Sequence, residues 1–78
     1  MRQATALSLY LSASSAIISK CQTIRAEARR NPDYNPETVA MVVRLVDRQQ
    51  TKELREARVS YEACLSALAS AMVSDAAE

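Results

Sequence analysis

The chain has 78 residues, a net charge of +1, and no glycine, histidine, tryptophan or phenylalanine. Glycine supplies the positive φ that tight β-turns and phosphate-binding loops need, so its absence excludes a many-stranded β-protein. A chain of this length forms one domain at most and buries only about 60% of its unfolded surface. Alanine, leucine, glutamate, arginine and glutamine are frequent, and all are good helix formers. We therefore predict a single all-α domain over residues 1–78.

The residue types also bear on catalysis. Without histidine, the chain lacks the usual general base near neutral pH. Cys21 and Cys64 have no histidine to pair with, and no cluster of cysteine and histidine could bind a metal ion. We predict a non-enzymatic protein that needs no cofactor.

The loop is the clearest feature along the chain. It has the sequence Asn31-Pro32-Asp33-Tyr34-Asn35-Pro36. A proline disfavours helical conformation at the residue before it, so a first helix, α1, should run from about residue 4 to residue 30. Asn35 is a good N-cap and Pro36 suits the first helical position. The loop thus covers residues 31–35, and a second helix, α2, begins at residue 36.

Apolar residues three and four apart predict the buried side of each helix. In α1 they are Leu7, Tyr10, Ala13 or Leu11, Ile17, Cys21, Ile24 and Ala28. In α2 they are Val39, Val43, Val46, Gln50, Leu54, Ala57, Tyr61, Cys64 or Leu65, Leu68 and Met72. Gln50 interrupts the second series, and a break there would give three helices. No glycine or proline follows Pro36, so we expect α2 to continue to about residue 74, and Tyr10 to lie near Tyr61 in a hairpin.

The helices differ in length, which predicts an overhang. If Arg30 lies opposite Pro36, the start of the chain lies opposite residues 62 and 63, and residues 64–72 project beyond α1. An exposed apolar overhang usually marks an interface. Either α2 bends near Gln50 and covers itself, or a second chain covers it. Nothing at Gln50 forces a break, so we predict self-association into a dimer or small helical bundle. The overhang side chains expected in the interface are Leu65, Leu68, Met72 and Val73.

The charges are unevenly distributed. Sixteen of the nineteen lie between residues 20 and 62, whereas residues 3–19 and 63–74 carry none. Solvated helix faces are normally rich in lysine and glutamate, so neutral faces of serine and alanine indicate contact with other protein. Serine is mildly unfavourable inside helices, and a row of serines lets another backbone approach closely. The row expected to take part in partner binding is Ser8, Ser12, Ser15 and Ser19.

One side of α2 carries a basic row, formed by Arg44, Arg48, Lys52 and Arg55. Like charges four residues apart repel weakly, which favours some role for the row. Three interpretations remain open: a solvated face with Asp47 and Glu56 as local partners, a patch for an acidic protein, or a nucleic-acid site. Nucleic acid is the least favoured, because the net charge is near zero and aromatic residues are few.

The cysteines and the apolar content bear on location. In a helical hairpin Cys21 and Cys64 would lie too far apart along the rod for a disulfide. We interpret both as small buried residues in a reducing compartment, which predicts a cytoplasmic protein. The neutral N-terminal run is shorter than about 20 residues and rich in hydroxyls, so we predict no membrane span.

Two helices around a short loop with two prolines resemble the small hairpin proteins of type III secretion systems. The residues that carry this resemblance are Asn31 to Glu37 and the flanking apolar series. One group comprises co-chaperones that clasp the needle subunit together with a larger helical-repeat chaperone; the other is the needle subunit. Needle subunits typically have a Pro-x-x-Pro loop, one residue shorter than this one. They also carry polar and aromatic residues in the last helix, where this chain has Cys64 to Leu68, so the co-chaperones are the closer group.

The function expected from the sequence is protein binding, as an adaptor, co-chaperone or inhibitor of a partner protein. Three alternatives remain: a filament-forming structural subunit of a secretion apparatus, a small virus-encoded inhibitor of a host protein, and nucleic-acid binding through the basic row.

Overall fold

The computed structural model describes residues 2–77, with side-chain environments for residues 2–72. Two antiparallel α-helices, α1 (Gln3–Arg30) and α2 (Pro36–Ala77), pack along each other and are joined by residues 31–35. The resulting rod measures 65 × 16 × 9 Å. The predicted all-α hairpin with a long second helix is confirmed.

The loop is built as its residue types predict. Asn31 is extended, with φ −73° and ψ 115°, so α1 ends at Arg30, and the Asn31 side chain accepts a hydrogen bond from the Asp33 amide at 2.9 Å. Asn35 caps α2, because its Oδ1 accepts a hydrogen bond from the Thr38 amide at 2.8 Å. This bond satisfies an amide that the first turn of a helix leaves without an intrahelical acceptor.

Helix α2 is continuous through Gln50, so the alternative with three helices is excluded. Arg25 explains why a glutamine is accommodated among apolar residues. The Arg25 side chain is only 17% exposed, and its Nη2 donates to Gln50 Oε1 and lies 2.7 Å from Asp47 Oδ1. The arginine of α1 therefore gives Gln50 a polar partner across the helix contact.

The α1 side that faces α2 agrees only in part with the predicted series, of which Tyr10, Ile17, Cys21 and Ala28 are confirmed. Ala6, Cys21 and Ala28 are buried, and Tyr10, Ser14 and Ile17 are half-buried. The predictions of Leu7, Leu11 and Ala13 as core residues are wrong, since all three are exposed, and Ile24 is 37% exposed. Bulky leucines lie beside the contact because the contact itself uses small residues, Ser14, Cys21 and Ala28, at seven-residue spacing. Small side chains at these positions let the two backbones approach closely.

The alignment of the helices also differs from the expected one. With Arg30 opposite Pro36, equal steps along both helices would bring Tyr10 opposite Glu56. Instead the rings of Tyr10 and Tyr61 stack at 4.8 Å between centroids, which confirms that they are neighbours. The shift of five residues corresponds to about 7.5 Å along a helix. It arises because the loop carries the chain past the end of α1 before α2 begins.

This shift shortens the predicted overhang. Leu65 and Leu68 are half-buried beside the first turns of α1, whereas Met72 is 65% exposed. The expectation that residues 64–72 all project beyond α1 is therefore wrong. Cys64 also lies beside α1, and no disulfide joins it to the buried Cys21.

Candidate protein-binding surfaces

One long side of the hairpin is apolar near the end away from the loop. The Arg25–Asp47 ion pair lies on this side and serves as the reference for finding the other residues that point the same way. Leu7 precedes Arg25 by eighteen residues and Leu65 follows Asp47 by eighteen, which is five helical turns in each case. Since Arg25 and Asp47 meet on one side, Leu7 and Leu65 face that same side. The residues on this side or at its edge toward the helix contact, called the apolar strip below, are Leu7, Leu11, Ile18, Leu54, Leu65, Leu68 and Met72.

The strip is open to solvent. Leu7, Leu11 and Ile18 are 43%, 56% and 38% exposed, although each is a large apolar residue. Leu65 and Leu68, from the predicted interface, are half-buried at its edge, and Met72 extends it beyond the start of α1. Single exposed leucines are ordinary on protein surfaces, but a contiguous strip is typical of an interface.

A hydroxyl group lies beneath this strip. Ser14, between Leu7, Leu11 and Ile18 on α1, has a buried Oγ with no hydrogen-bond partner among the described residues. A buried hydroxyl without a partner is rare and costs free energy. The side of the hairpin that bears the strip therefore has, among the described residues, a hydroxyl group without a hydrogen-bond partner beneath its exposed apolar side chains.

The opposite long side has an apolar groove at the same end. A cavity of about 380 Å³ lies between the helices and is open to solvent. Its lining is Ala6, Leu9, Tyr10, Ala13, Ala57, Ser60, Tyr61 and Cys64. Leu9 is 56% exposed there. Both long sides of the rod near this end are therefore less polar than those near the loop.

The serine row faces away from α2. Ser8, Ser12, Ser15 and Ser19 are all exposed, and their positions are about half a turn around α1 from Tyr10, Ile17 and Cys21. A contact of this row with α2 of the same chain is excluded. The structure therefore does not bring the serine row and the overhang leucines onto one surface, and Val73 lies outside the described side chains.

On the groove side, an ion pair joins the helices nearer the middle of the rod. Lys20 Nζ donates to both carboxylate oxygens of Glu53 at 2.9 Å, and Gln49 also donates to Glu53. The hydrogen bond from Lys20 lowers the pKa of Glu53, and the same bond raises the pKa of Lys20. Both pKa shifts mean that the charged forms of Lys20 and Glu53 are favoured in the folded protein.

The pair predicts a pH-dependent contribution to folding. Because the folded pKa of Glu53 is lowered, its contribution is present above the ordinary value of 4.5 and is lost as the pH falls through the folded pKa. Because the pKa of Lys20 is raised, its contribution is present below 10.5 and is lost as the pH rises through the folded pKa. Lys20→Met should lower the melting temperature at pH 7, and this difference from the wild type should shrink below pH 4.5 and vanish once the pH is below the lowered pKa of Glu53.

Thermal unfolding followed by circular dichroism at several pH values checks this prediction. Lys52→Met is the matched control, because Lys52 and Glu56 are 4.0 Å apart and both largely exposed, so its effect should be small throughout. A melting difference for Lys20→Met that does not decrease at all as the pH is lowered below 4.5 would contradict the assignment to this pair.

The basic row lies on the outside of α2. Arg44, Arg48, Lys52 and Arg55 are all exposed. Asp47, the local partner considered for Arg44, instead binds Arg25. Arg44, Arg48 and Arg55 make no ion pair with any described residue, and only Lys52 has a nearby carboxylate. The local pairing that would make this an ordinary solvated face is therefore largely absent from the described part of the chain.

Within the described residues, no three histidine, cysteine, aspartate or glutamate side chains are grouped so that they could hold a metal ion. In the same part of the chain, neither helix combines the length and hydropathy needed to cross a membrane. No family model, no curated protein and no solved structure matches this chain.

Proposed function

We propose that this chain is a non-enzymatic protein-binding module that acts as a self-associating helical adaptor. The observation that carries the proposal is the apolar strip, which runs along one side of the hairpin and which the hairpin itself cannot cover. Its first occupant is a second copy of the chain, and the assembled helices form the platform to which other proteins bind.

The small core of the hairpin supports this proposal. Only Ala6, Cys21, Ala28 and Val46 are buried hydrophobic residues among those described, and three of these have small side chains. Burial of apolar surface is the main favourable contribution to folding, so two helices with such a contact are only marginally stable alone. Packing two hairpins into four helices would enclose the strip of each.

The distribution of charge supports a second copy as the occupant. In a two-fold dimer each residue near the axis meets its own counterpart, so a charged strip would repel itself. The strip end of the hairpin avoids this repulsion, because residues 3–19 and 63–74 carry no charge. With the two-fold axis along the rod, strip faces strip, and α1 of each hairpin lies opposite α2 of the other, so Arg25 of one copy faces Asp47 of the other and opposite charges meet.

An adaptor, a co-chaperone and an inhibitor would all use the strip in the same way, because each covers an apolar helix face with a helical partner. The three roles therefore share one mode of binding, through the strip, and one first partner, a second copy of the chain.

Light scattering across a hundredfold range of protein concentration, with and without reductant, tests the proposal. We expect twice the chain mass of 8.6 kDa, or a small multiple of it, in both conditions. Reductant should have no effect because Cys21 is 1% exposed and the interface is apolar. A mass of 8.6 kDa at every concentration would overturn self-association. A mass that grows without limit would identify the filament-forming subunit instead.

A further inference from the structure

We infer that the outward face of α2 is a second docking surface and that its partner is an acidic amphipathic helix. This surface is distinct from the apolar strip and does not depend on self-association. It consists of a single row of side chains, called the outer stripe below: Met41, Leu45, Arg48, Lys52, Arg55 and Val59.

The spacing of these residues places them on one face. They follow one another by four and three residues in alternation, which is the repeat of a single side of an α-helix. Arg48 is two residues from both Val46 and Gln50, and positions two apart point to opposite sides of a helix. Since Val46 and Gln50 face α1, the outer stripe points away from it.

The apolar members of the stripe contribute nothing to the hairpin. Met41, Leu45 and Val59 are 51%, 57% and 59% exposed. A helix face that only meets water is usually polar, so three large apolar residues at the spacing of one face indicate contact with a partner.

The basic members lack counterions. Arg48 and Arg55 have no ion pair with any residue that the structure describes, and Lys52 is 4.0 Å from Glu56 with both side chains largely exposed. No acidic residue occupies the stripe between Met41 and Val59. Three cations at this spacing repel one another, and an acidic partner would remove that repulsion. Arg44, beside the stripe, adds a fourth cation.

The order along the stripe defines the partner's chemistry. Two apolar residues are followed by three cations and then by one apolar residue, over eighteen residues or about 27 Å of helix. The complementary surface is a helix of similar length with carboxylates at its centre and apolar residues toward its ends. Laying such a helix along the stripe pairs each cation and covers Met41, Leu45 and Val59.

Other occupants fit less well. Phosphate groups of nucleic acid would pair with the cations but would leave the apolar residues uncovered. An interfacial membrane helix keeps a broad apolar face on one side and its cations on the other, whereas here three cations interrupt a narrow apolar row on the same face. A second copy is disfavoured because antiparallel two-fold pairing would bring Arg48 and Arg55 of the two chains together.

Fluorescence anisotropy with a designed peptide tests the inference. The probe is a labelled helical peptide with leucine, leucine, three glutamates and leucine at the spacing of the stripe, in an alanine and glutamine background. A control peptide has the same composition but places leucine at the centre and glutamate at both ends. We expect the ordered peptide to bind, the control peptide to bind about tenfold more weakly or not at all, and added salt to weaken binding.

Matched charge reversals locate the site. Arg48→Glu with Arg55→Glu should weaken binding of the ordered peptide by about tenfold or more, since charge pairs in an interface become repulsive. Arg2→Glu with Arg58→Glu changes the net charge equally but lies off the stripe, and should change binding less than about twofold. All four positions are exposed, so each variant should keep its helices, and circular dichroism checks this.

Three results would overturn the inference. The first is no binding of the ordered peptide at low salt. The second is an equal loss of binding in the two pairs of charge reversals, which would show only non-specific attraction. The third is binding of a single-stranded or duplex oligonucleotide, or of phosphatidylserine vesicles, at least as tight as that of the peptide and abolished by Arg48→Glu with Arg55→Glu.

Discussion

Replacing Leu11 or Leu68 by aspartate is expected to dissociate the self-associated protein into chains of 8.6 kDa. Leu11 is 56% exposed in the hairpin, so a carboxylate there stays hydrated in the monomer and is buried only in the dimer. Burying a charge without a partner costs several kcal/mol, and each 1.4 kcal/mol weakens association about tenfold. The loss of affinity should therefore be about hundredfold or more.

Val59→Asp is the control for this prediction. Val59 is 59% exposed and apolar, so it matches Leu11 in exposure and chemistry but lies on the outside of α2. We expect Val59→Asp to keep the wild-type mass by light scattering. If Leu11→Asp and Leu68→Asp keep that mass as well, the strip is not the interface. If all three variants dissociate, an added negative charge anywhere on the hairpin would explain the loss of self-association, and the strip would not.

Replacing Cys21 by aspartate is expected to have the largest effect on folding. Cys21 is the most buried side chain described, at 1% exposed, and lies where α1 and α2 approach through small residues. A carboxylate at this position would be desolvated without an ion-pair partner, which costs about 3 kcal/mol or more. Since a domain of this size has only about 4–12 kcal/mol of stability, the variant should lose about a quarter of it or more and unfold at a clearly lower urea concentration than the wild type.

Gln22→Asp is the matched control for Cys21→Asp. Gln22 is the next residue and is exposed, so an aspartate there adds the same charge to the same helix but remains in water. Its effect should be within about 0.5 kcal/mol. Urea unfolding at fixed protein concentration measures both variants. Similar destabilisation of the two would mean that α1 presents a different side to α2.

The two helices and their boundary could be predicted from the loop residues alone. Pro32 prevents helical conformation at Asn31, and Asn35 caps the next helix through its own side chain. These effects act within a few residues of the chain. They do not depend on what the helices pack against, so they can be inferred without a structure.

The buried side of α1 was predicted less well, and the reason lies in residue size. Sequence periodicity assigns large apolar residues to the core, which selects Leu7 and Leu11. The contact uses the predicted Cys21 and Ala28 but also Ala6 and Ser14, which the apolar series did not include. Ser14 continues the seven-residue spacing of Cys21 and Ala28, a signal that the series missed because serine is polar.

Of the candidate surfaces, one could be recognised in the sequence and the other only in the structure. The basic row was visible in the sequence, but a solvated face with Asp47 as a local partner was the favoured interpretation until the structure showed Asp47 bound to Arg25. The apolar strip could not be predicted, because it joins Leu7 and Leu65 across two helices. Whether they share a side depends on how the helices are rotated and aligned.

The sequence by itself determined that the chain is helical, where it reverses, and that residues 3–19 and 63–74 are uncharged, because each follows from residue type and short-range spacing. The tertiary structure decided the alignment of α1 with α2, and with it the length of the overhang and the side on which each exposed leucine lies. That alignment depends on contacts between distant residues, such as Arg25 with Asp47 and Lys20 with Glu53. Helical spacing along one chain segment carries no information about such contacts until the segments are packed.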